Sequence, residues 1–275
     1  MYYMAMNPSN PKFYNKLIQS CKYFFERNPI LVVRNMEEIS ICSNEDCTAY
    51  SYDDAPCCVG IDIKKIKSKF WLTQKLMADY LCMDESPNIT FTSLLCPKLF
   101  LCEISDLRIC DKIVLFEDFK YLASSVTYVT LSNVKMIHKN GKAVMLEKIL
   151  EVIPNIEKFI CYFNEDCSMV TNATFKNILE LKNIGKLKHF SLLFCSKTPE
   201  NIYVEDLSRF IKDYKNTKFW FNFCGDNDIV NERLKNQLDV LIDTIIGSNA
   251  PNRIIKYNRQ DEEKLKVLQN RFSKN

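Results

Sequence analysis

The sequence predicts an α/β protein whose parallel sheet is covered by helices on one side only, a solenoid of strand–helix repeats. Three observations carry this. A strand signature recurs about every thirty residues, helical apolar stripes fill the gaps, and polar residues occupy alternate strand positions.

Cys96-Pro-Lys-Leu-Phe-Leu101, Val126-Thr-Tyr-Val-Thr-Leu131, Ile156-Glu-Lys-Phe-Ile-Cys161 and Leu187-Lys-His-Phe-Ser-Leu192 each read apolar-x-x-apolar-x-apolar. Asn216-Thr-Lys-Phe-Trp-Phe221 fits except at its first position. The middle apolar residues are Leu99, Val129, Phe159, Phe190 and Phe219, at intervals of 30, 30, 31 and 29. A weaker unit, Cys58-Val-Gly-Ile-Asp-Ile63, precedes them. Another, around Ile254, Ile255 and Tyr257, follows. Self-similarity at a period of this length marks a repeat architecture.

Between these strands Leu146, Ile149, Leu150 and Ile153 fall at i, i+3, i+4, i+7, as do Leu207, Phe210, Ile211 and Tyr214. Phe175, Ile178 and Leu179 follow the same spacing, and Leu234, Leu238, Leu241, Ile242 and Ile245 make a longer stripe. Each stripe turns one apolar helix face toward a sheet. Strand, helix, strand in the same sheet implies parallel strands with right-handed crossovers.

A doubly wound or mixed α/β sheet shares this order, but buries both faces and reads as continuous apolar runs. Here the column before the anchor reads Lys98, Tyr128, Lys158, His189, Lys218. The column after it reads Phe100, Thr130, Ile160, Ser191, Trp220, and the next same-face column Cys102, Ser132, Tyr162, Leu193, Asn222. Cationic and titratable residues in the first column place that face in water. All helices then lie on the other side, in a leucine-rich-repeat-like horseshoe. Phe100, Tyr128, Ile160, Tyr162, Leu193 and Trp220 line its concave face, with Lys98, Lys158, His189 and Lys218 along one edge. Aromatic anchors beside cations are what protein interfaces favour, so this face is expected to bind a protein partner.

At the N-terminus Tyr14, Leu17, Ile18, Cys21 and Phe25 predict a helix over 12–27, with Pro11 at its start and Asn28-Pro29 at its stop. Ile30–Val33 reads as a short buried strand. At the far end Leu265, Leu268 and Phe272 predict a helix over 261–272 that caps the sheet.

The run from Phe13 to Pro29 resembles the second half of an F-box, and Leu17, Ser20, Cys21, Lys22 and Phe24 carry the likeness. The units behind it are similar to those of nematode F-box-like proteins with divergent leucine-rich-type repeats, as are Phe70-Trp-Leu-Thr-Gln-Lys-Leu76 and Cys96-Pro-Lys-Leu99. The resemblance divides the chain into a partial F-box-like segment, 1–29, and a repeat region, 30–275. It implies a substrate adaptor: the five named residues hold a Skp-type linker of a cullin-RING ubiquitin ligase, and the repeats hold a substrate. The competing expectation is a repeat module with no link to ubiquitin.

Catalytic signatures are missing. Five widely scattered glycines permit neither GxGxxG nor GxxxxGK[ST]. His138 reads as a turn residue, and neither it nor His189 has a nucleophile at a motif spacing. A pairing of His189 with Cys195 is the weak exception. Cys42-x4-Cys47 followed by Cys57-Cys58 has a metal flavour, but adjacent strand residues face opposite ways, so Cys58 reads as a core residue. Glu45, Asp46, Asp53 and Asp54 read as a solvated loop, and Lys64, Lys65, Lys67 and Lys69 as a solvated helix start. No cofactor, no metal and no enzyme activity are therefore expected.

The balance of 37 basic and 34 acidic residues, a net +3, argues against nucleic acid or a membrane as partner. Thirteen cysteines without a signal peptide or an apolar span predict reduced thiols in a cytoplasmic or nuclear chain, monomeric on its own.

Overall fold

The computed structural model describes residues 6–44, 57–78, 90–199, 202–223, 232–248 and 250–273. Among these the chain is α/β, with a mostly parallel sheet of many strands and no closed barrel. It divides into two compact units. Unit 1 takes residues 1–108 and 117–126, unit 2 residues 109–116 and 127–275.

Unit 1 begins with α1 (Pro11–Ser20) and α2 (Lys22–Arg27). Pro11 stands in the first turn, and Asn10 caps it by accepting from the Phe13 N–H at 3.0 Å. The single helix expected over 12–27 is thus broken. Cys21, exposed and extended at φ −155°, separates the two pieces. The break lets Tyr14 and Phe24 both be buried. Strand β1 (Ile30–Glu37) runs longer than expected and pairs antiparallel with β2 (Ser40–Cys42), which pairs antiparallel with β3 (Cys58–Gly60). β4 (Lys69–Ala78) lies parallel to β1 on one side and to β5 (Leu99–Cys102) on the other. A short α3 (Phe91–Leu95), capped by Thr90, precedes β5.

Lys64 and Lys65 occupy a turn rather than a helix start. Asp62 holds them, accepting from the Lys64 N–H at 3.0 Å and pairing with Lys65 at 3.3 Å.

Next in the chain come β6 (Asp106–Cys110), β7 (Ile113–Leu115) of unit 2 and α4 (Phe116–Leu122), which from Glu117 on belongs to unit 1. β6 and β7 escape the thirty-residue reading because their period is shorter. β8 (Tyr128–Ser132) and β9 (Lys135–Ile137) repeat the device: strand, one residue in the left-handed region, short second strand. The left-handed residues are Asp111 and Asn133, both at φ 52°, and the Asn133 Nδ2 donates to Asp111 Oδ1 at 2.7 Å. Short Asx side chains tolerate this conformation. β7 and β9 pair in parallel as a two-stranded sheet.

The rest of unit 2 follows the repeat closely. β8, β10 (Lys158–Phe163), β11 (His189–Phe194), β12 (Lys218–Phe223) and β13 (Arg253–Tyr257) lie in chain order, every pair parallel. Val129, Phe159, Phe190 and Phe219 stand opposite one another across four strands. Between the strands come α5 (Leu146–Glu151), α6 (Thr174–Leu179), α7 (Val204–Asp213) and α8 (Glu232–Gly247), each packed beside the next. Their aromatic side chains reach the anchor columns: Phe210 of α7 lies 5.2 Å from Phe190 and 5.1 Å from Phe219, and Phe175 of α6 lies 5.9 Å from Phe221.

Six-residue helices are too short to hold themselves together in water. Side chains from the next repeat satisfy their ends. Asn183 Nδ2 donates to the carbonyls of Leu150 and Ile153 at the end of α5, both at 2.8 Å. Buried Glu147 of α5 accepts from Asn177 Nδ2 of α6 at 2.8 Å. Asp261 caps α9 (Glu262–Ser273), accepting from the Glu263 and Lys264 N–H groups.

Candidate binding face

Strand alternation sends the anchor residues of unit 2 to the helices and the residues between them to the other face. That second face carries three rungs in register. The first is Tyr128–Lys158–His189–Lys218, the second Thr130–Ile160–Ser191–Trp220–Ile254, the third Ser132–Tyr162–Leu193–Asn222–Lys256. Tyr128, Tyr162 and Trp220 remain 46%, 36% and 39% exposed there. Ser191, Leu193 and Ile254 of the same face are buried.

The expected site residues separate into three groups. Tyr128, Lys158, Ile160, Tyr162, His189 and Trp220 share one accessible face of unit 2. Leu193 shares that face but sits below its surface, and Lys218 is partly engaged by α9: its Nζ donates to the Phe272 carbonyl at 3.2 Å and stands 4.0 Å from the Phe272 ring centre. Trp220 meets the same ring edge-on at 6.2 Å. The C-terminal helix thus shields one end of the face and leaves the Tyr128 end open. Lys98 and Phe100 belong to unit 1 and are committed inside it. Lys98 Nζ donates to the carbonyls of Ile63 and Ile66, and Phe100 packs on Trp71 at 5.7 Å beside Tyr14, Ile18 and Ile30. Neither is offered to a partner.

Of the residues carrying the F-box likeness, Ser20, Cys21 and Lys22 are exposed at the helix break, Leu17 is half-buried and Phe24 is buried.

His189 lies half-buried on this face. Burial, with Lys158 and Lys218 on the neighbouring strands, lowers its pKa to about 4. The ring is neutral at pH 7, and its Nε2 shares a 2.7 Å hydrogen bond with the Ser191 hydroxyl. Ser191 itself is shut off from solvent. The Cys195 thiol points at the Leu193 carbonyl instead, 3.8 Å away. Burial also pushes the Cys96 thiol up to about 12 and Cys102 to about 11, so both are inert.

A histidine whose folded pKa lies below its unfolded one binds its proton more readily when unfolded. Its contribution to stability is therefore complete above about pH 6.5 and is lost as pH falls toward 4. The full linkage would be about 3.4 kcal/mol, and partial solvation of the ring reduces the expectation to about 1–2 kcal/mol. His189→Gln should flatten the stability profile between pH 7 and 4 by that amount relative to wild type. Superimposable profiles in urea unfolding at pH 7, 5.5 and 4.5 would refute the assignment.

No family model matches this chain, nor does any curated protein or solved structure. Among the described residues no helix is long and apolar enough to cross a membrane.

Proposed function

We propose that unit 2 is a protein-recognition module, a short one-sided solenoid of leucine-rich-repeat type whose uncovered sheet face binds an extended protein segment. The observation that carries this is the exposure of Tyr128, Tyr162 and Trp220 on a face whose reverse is filled by helices. A sheet face turned to water ordinarily reads polar. Large rings held out on a rigid sheet supply contact area at small entropic cost. Half-buried Lys158 and exposed Lys256 frame these rings. The partner segment therefore combines acidic and apolar side chains.

Peptides selected by display against the full chain should be rich in acidic and aromatic residues and should weaken with salt. Trp220→Ala with Tyr128→Ala should reduce their affinity about 30-fold or more, the effect of losing an interface hot spot. Selected peptides that bind the double variant equally well would show that this face is not the site.

The exposed Ser20-Cys21-Lys22 corner supports extending this reading to a substrate adaptor of a cullin-RING ligase. In the same experiment a recombinant Skp-type linker serves as a second probe. Saturable binding that Lys22→Glu abolishes assigns the chain to the adaptor class, and none at about 50 µM, weaker than roughly 6 kcal/mol, leaves a stand-alone module.

A further inference from the structure

The open ends of β2 and β3 bring together three thiols that the repeat does not use. Cys42 and Cys58 are direct partners across the antiparallel pair. Cys57 stands in the turn just before β3, so strand alternation does not govern its direction. That removes the objection that adjacent cysteines cannot converge. The three Sγ atoms all lie within 4.8 Å of one another, and those of Cys42 and Cys57 are 3.6 Å apart.

The Cys42 thiol donates to the Cys57 sulfur, and this separation is also close to what one ion would require. A disulfide needs about 2.05 Å between sulfurs. A tetrahedral ion with metal–sulfur bonds of about 2.3 Å holds its sulfurs about 3.8 Å apart. The Cys42–Cys57 spacing falls beside the second value. Burial agrees: Cys42 is 4% exposed and fixes the floor, while Cys57 and Cys58 are half-buried and leave a way in. Core cysteines such as Cys161 are instead enclosed and solitary. β3 also ends the strand order of its sheet, where a cross-link between strand ends would secure an otherwise three-residue edge strand.

We propose that Cys42, Cys57 and Cys58 bind a divalent d10 cation of zinc type as thiolates. Among the described residues the cluster has three members, so the fourth tetrahedral position falls to water or to a donor outside them; Cys47 lies outside the described residues. Each coordinating thiol gives up its proton to solvent on binding, and binding therefore weakens as pH falls. The ion ties β2 to β3 and stabilises unit 1 in proportion to its affinity.

The test uses the full chain, reduced and stripped by chelator, titrated with Co2+ and then Zn2+. The expected result is one equivalent of Co2+ giving sulfur-to-metal charge transfer and tetrahedral visible bands, both erased by one equivalent of Zn2+. Cys57→Ser and Cys58→Ser, at half-buried positions where the fold tolerates the change, should each weaken binding roughly 100-fold or more, since loss of even an outer partner costs 10–100-fold. Cys195→Ser should leave it unchanged. A Co2+ spectrum without thiolate bands, bands that survive in both variants, or a Cys42–Cys57 disulfide that persists in reductant would each overturn the proposal.

Discussion

Phe190→Ala is expected to cost unit 2 about 3–5 kcal/mol, the range for deleting a fully buried aromatic ring. Phe190 is 0% exposed and lies at the crossing of the two apolar systems of unit 2. Along the sheet it contacts Phe159 at 5.7 Å, Phe219 at 6.3 Å and Phe221 at 6.0 Å. From the helix layer Phe210 meets it edge-on at 5.2 Å. No neighbour can collapse into the space, because each is held by its own strand or helix. Aromatic pairs at these separations add to area burial, so the loss exceeds that of an isolated phenylalanine. Phe190→Leu, which keeps most of the volume, should cost about 1.5 kcal/mol or less.

The chain's two tryptophans make the measurement specific. Trp71 belongs to unit 1 and Trp220 to unit 2, so urea unfolding followed by fluorescence in a Trp71→Phe background reports unit 2. A fall in midpoint of less than about 1 kcal/mol equivalent, at unchanged slope, would mean that the phenylalanine ladder is not the core of the unit.

How far the sequence disclosed this molecule follows from which forces leave a periodic trace. The anchors Val129, Phe159, Phe190 and Phe219 were legible because burial at a fixed strand position repeats with the unit, and the strands pair in that register. The stripe Leu234, Leu238, Leu241, Ile242, Ile245 was legible for the same reason at helical period, and all five are buried. β6 was not, because it starts only twenty-two residues before β8, off the thirty-residue spacing. The break at Cys21 left no signal, since no proline or glycine marks it and the apolar stripe continues past it.

The binding face was half legible. Parity predicted which residues face away from the helices but not which of them a terminal helix would occupy. Phe272, which shields Lys218 and part of Trp220, lies fifty residues further along the chain. For Lys98 and Phe100 the parity rule failed: Lys98 precedes the strand, the β4–β5 register shifts at Phe100, so that Leu101 is exposed and Cys102 buried, and Tyr14 and Ile18 of α1 pack beside the Trp71–Phe100 pair. The convergence of the three thiols was not legible, because strand alternation does not govern Cys57, which lies in the turn before β3.

Arg253→Met is expected to cost about 3 kcal/mol, though it deletes no apolar contact. Arg253 is 3% exposed and sits in β13 opposite Phe219, at a position that faces the helices. Its guanidinium lies 5.6 Å from the Phe219 ring centre and donates to the Lys215 carbonyl at 2.8 Å, the Tyr214 carbonyl at 3.3 Å and the Ile211 carbonyl at 3.5 Å, and also to Pro251. Three of these acceptors close the C-terminal end of α7, where carbonyls lack intrahelical partners and the helix dipole is negative. One side chain therefore ends a helix from a later repeat, as Asn183 does for α5. Methionine keeps the stem's volume but removes the donor from the Ile211 and Lys215 carbonyls, while the Tyr214 carbonyl keeps the Thr217 N–H at 3.1 Å; a buried acceptor left without its donor is the costly half of losing a hydrogen bond. Arg253→Lys keeps the charge but not the planar fork, and should lose about 1–2 kcal/mol. The same Trp71→Phe background reads both variants. Amide exchange should show the loss as faster opening at the end of α7, before the strands. If Met and Lys were equally costly, the planar fork rather than the charge would carry the whole effect, and if neither cost more than about 0.5 kcal/mol, α7 would end without help from β13.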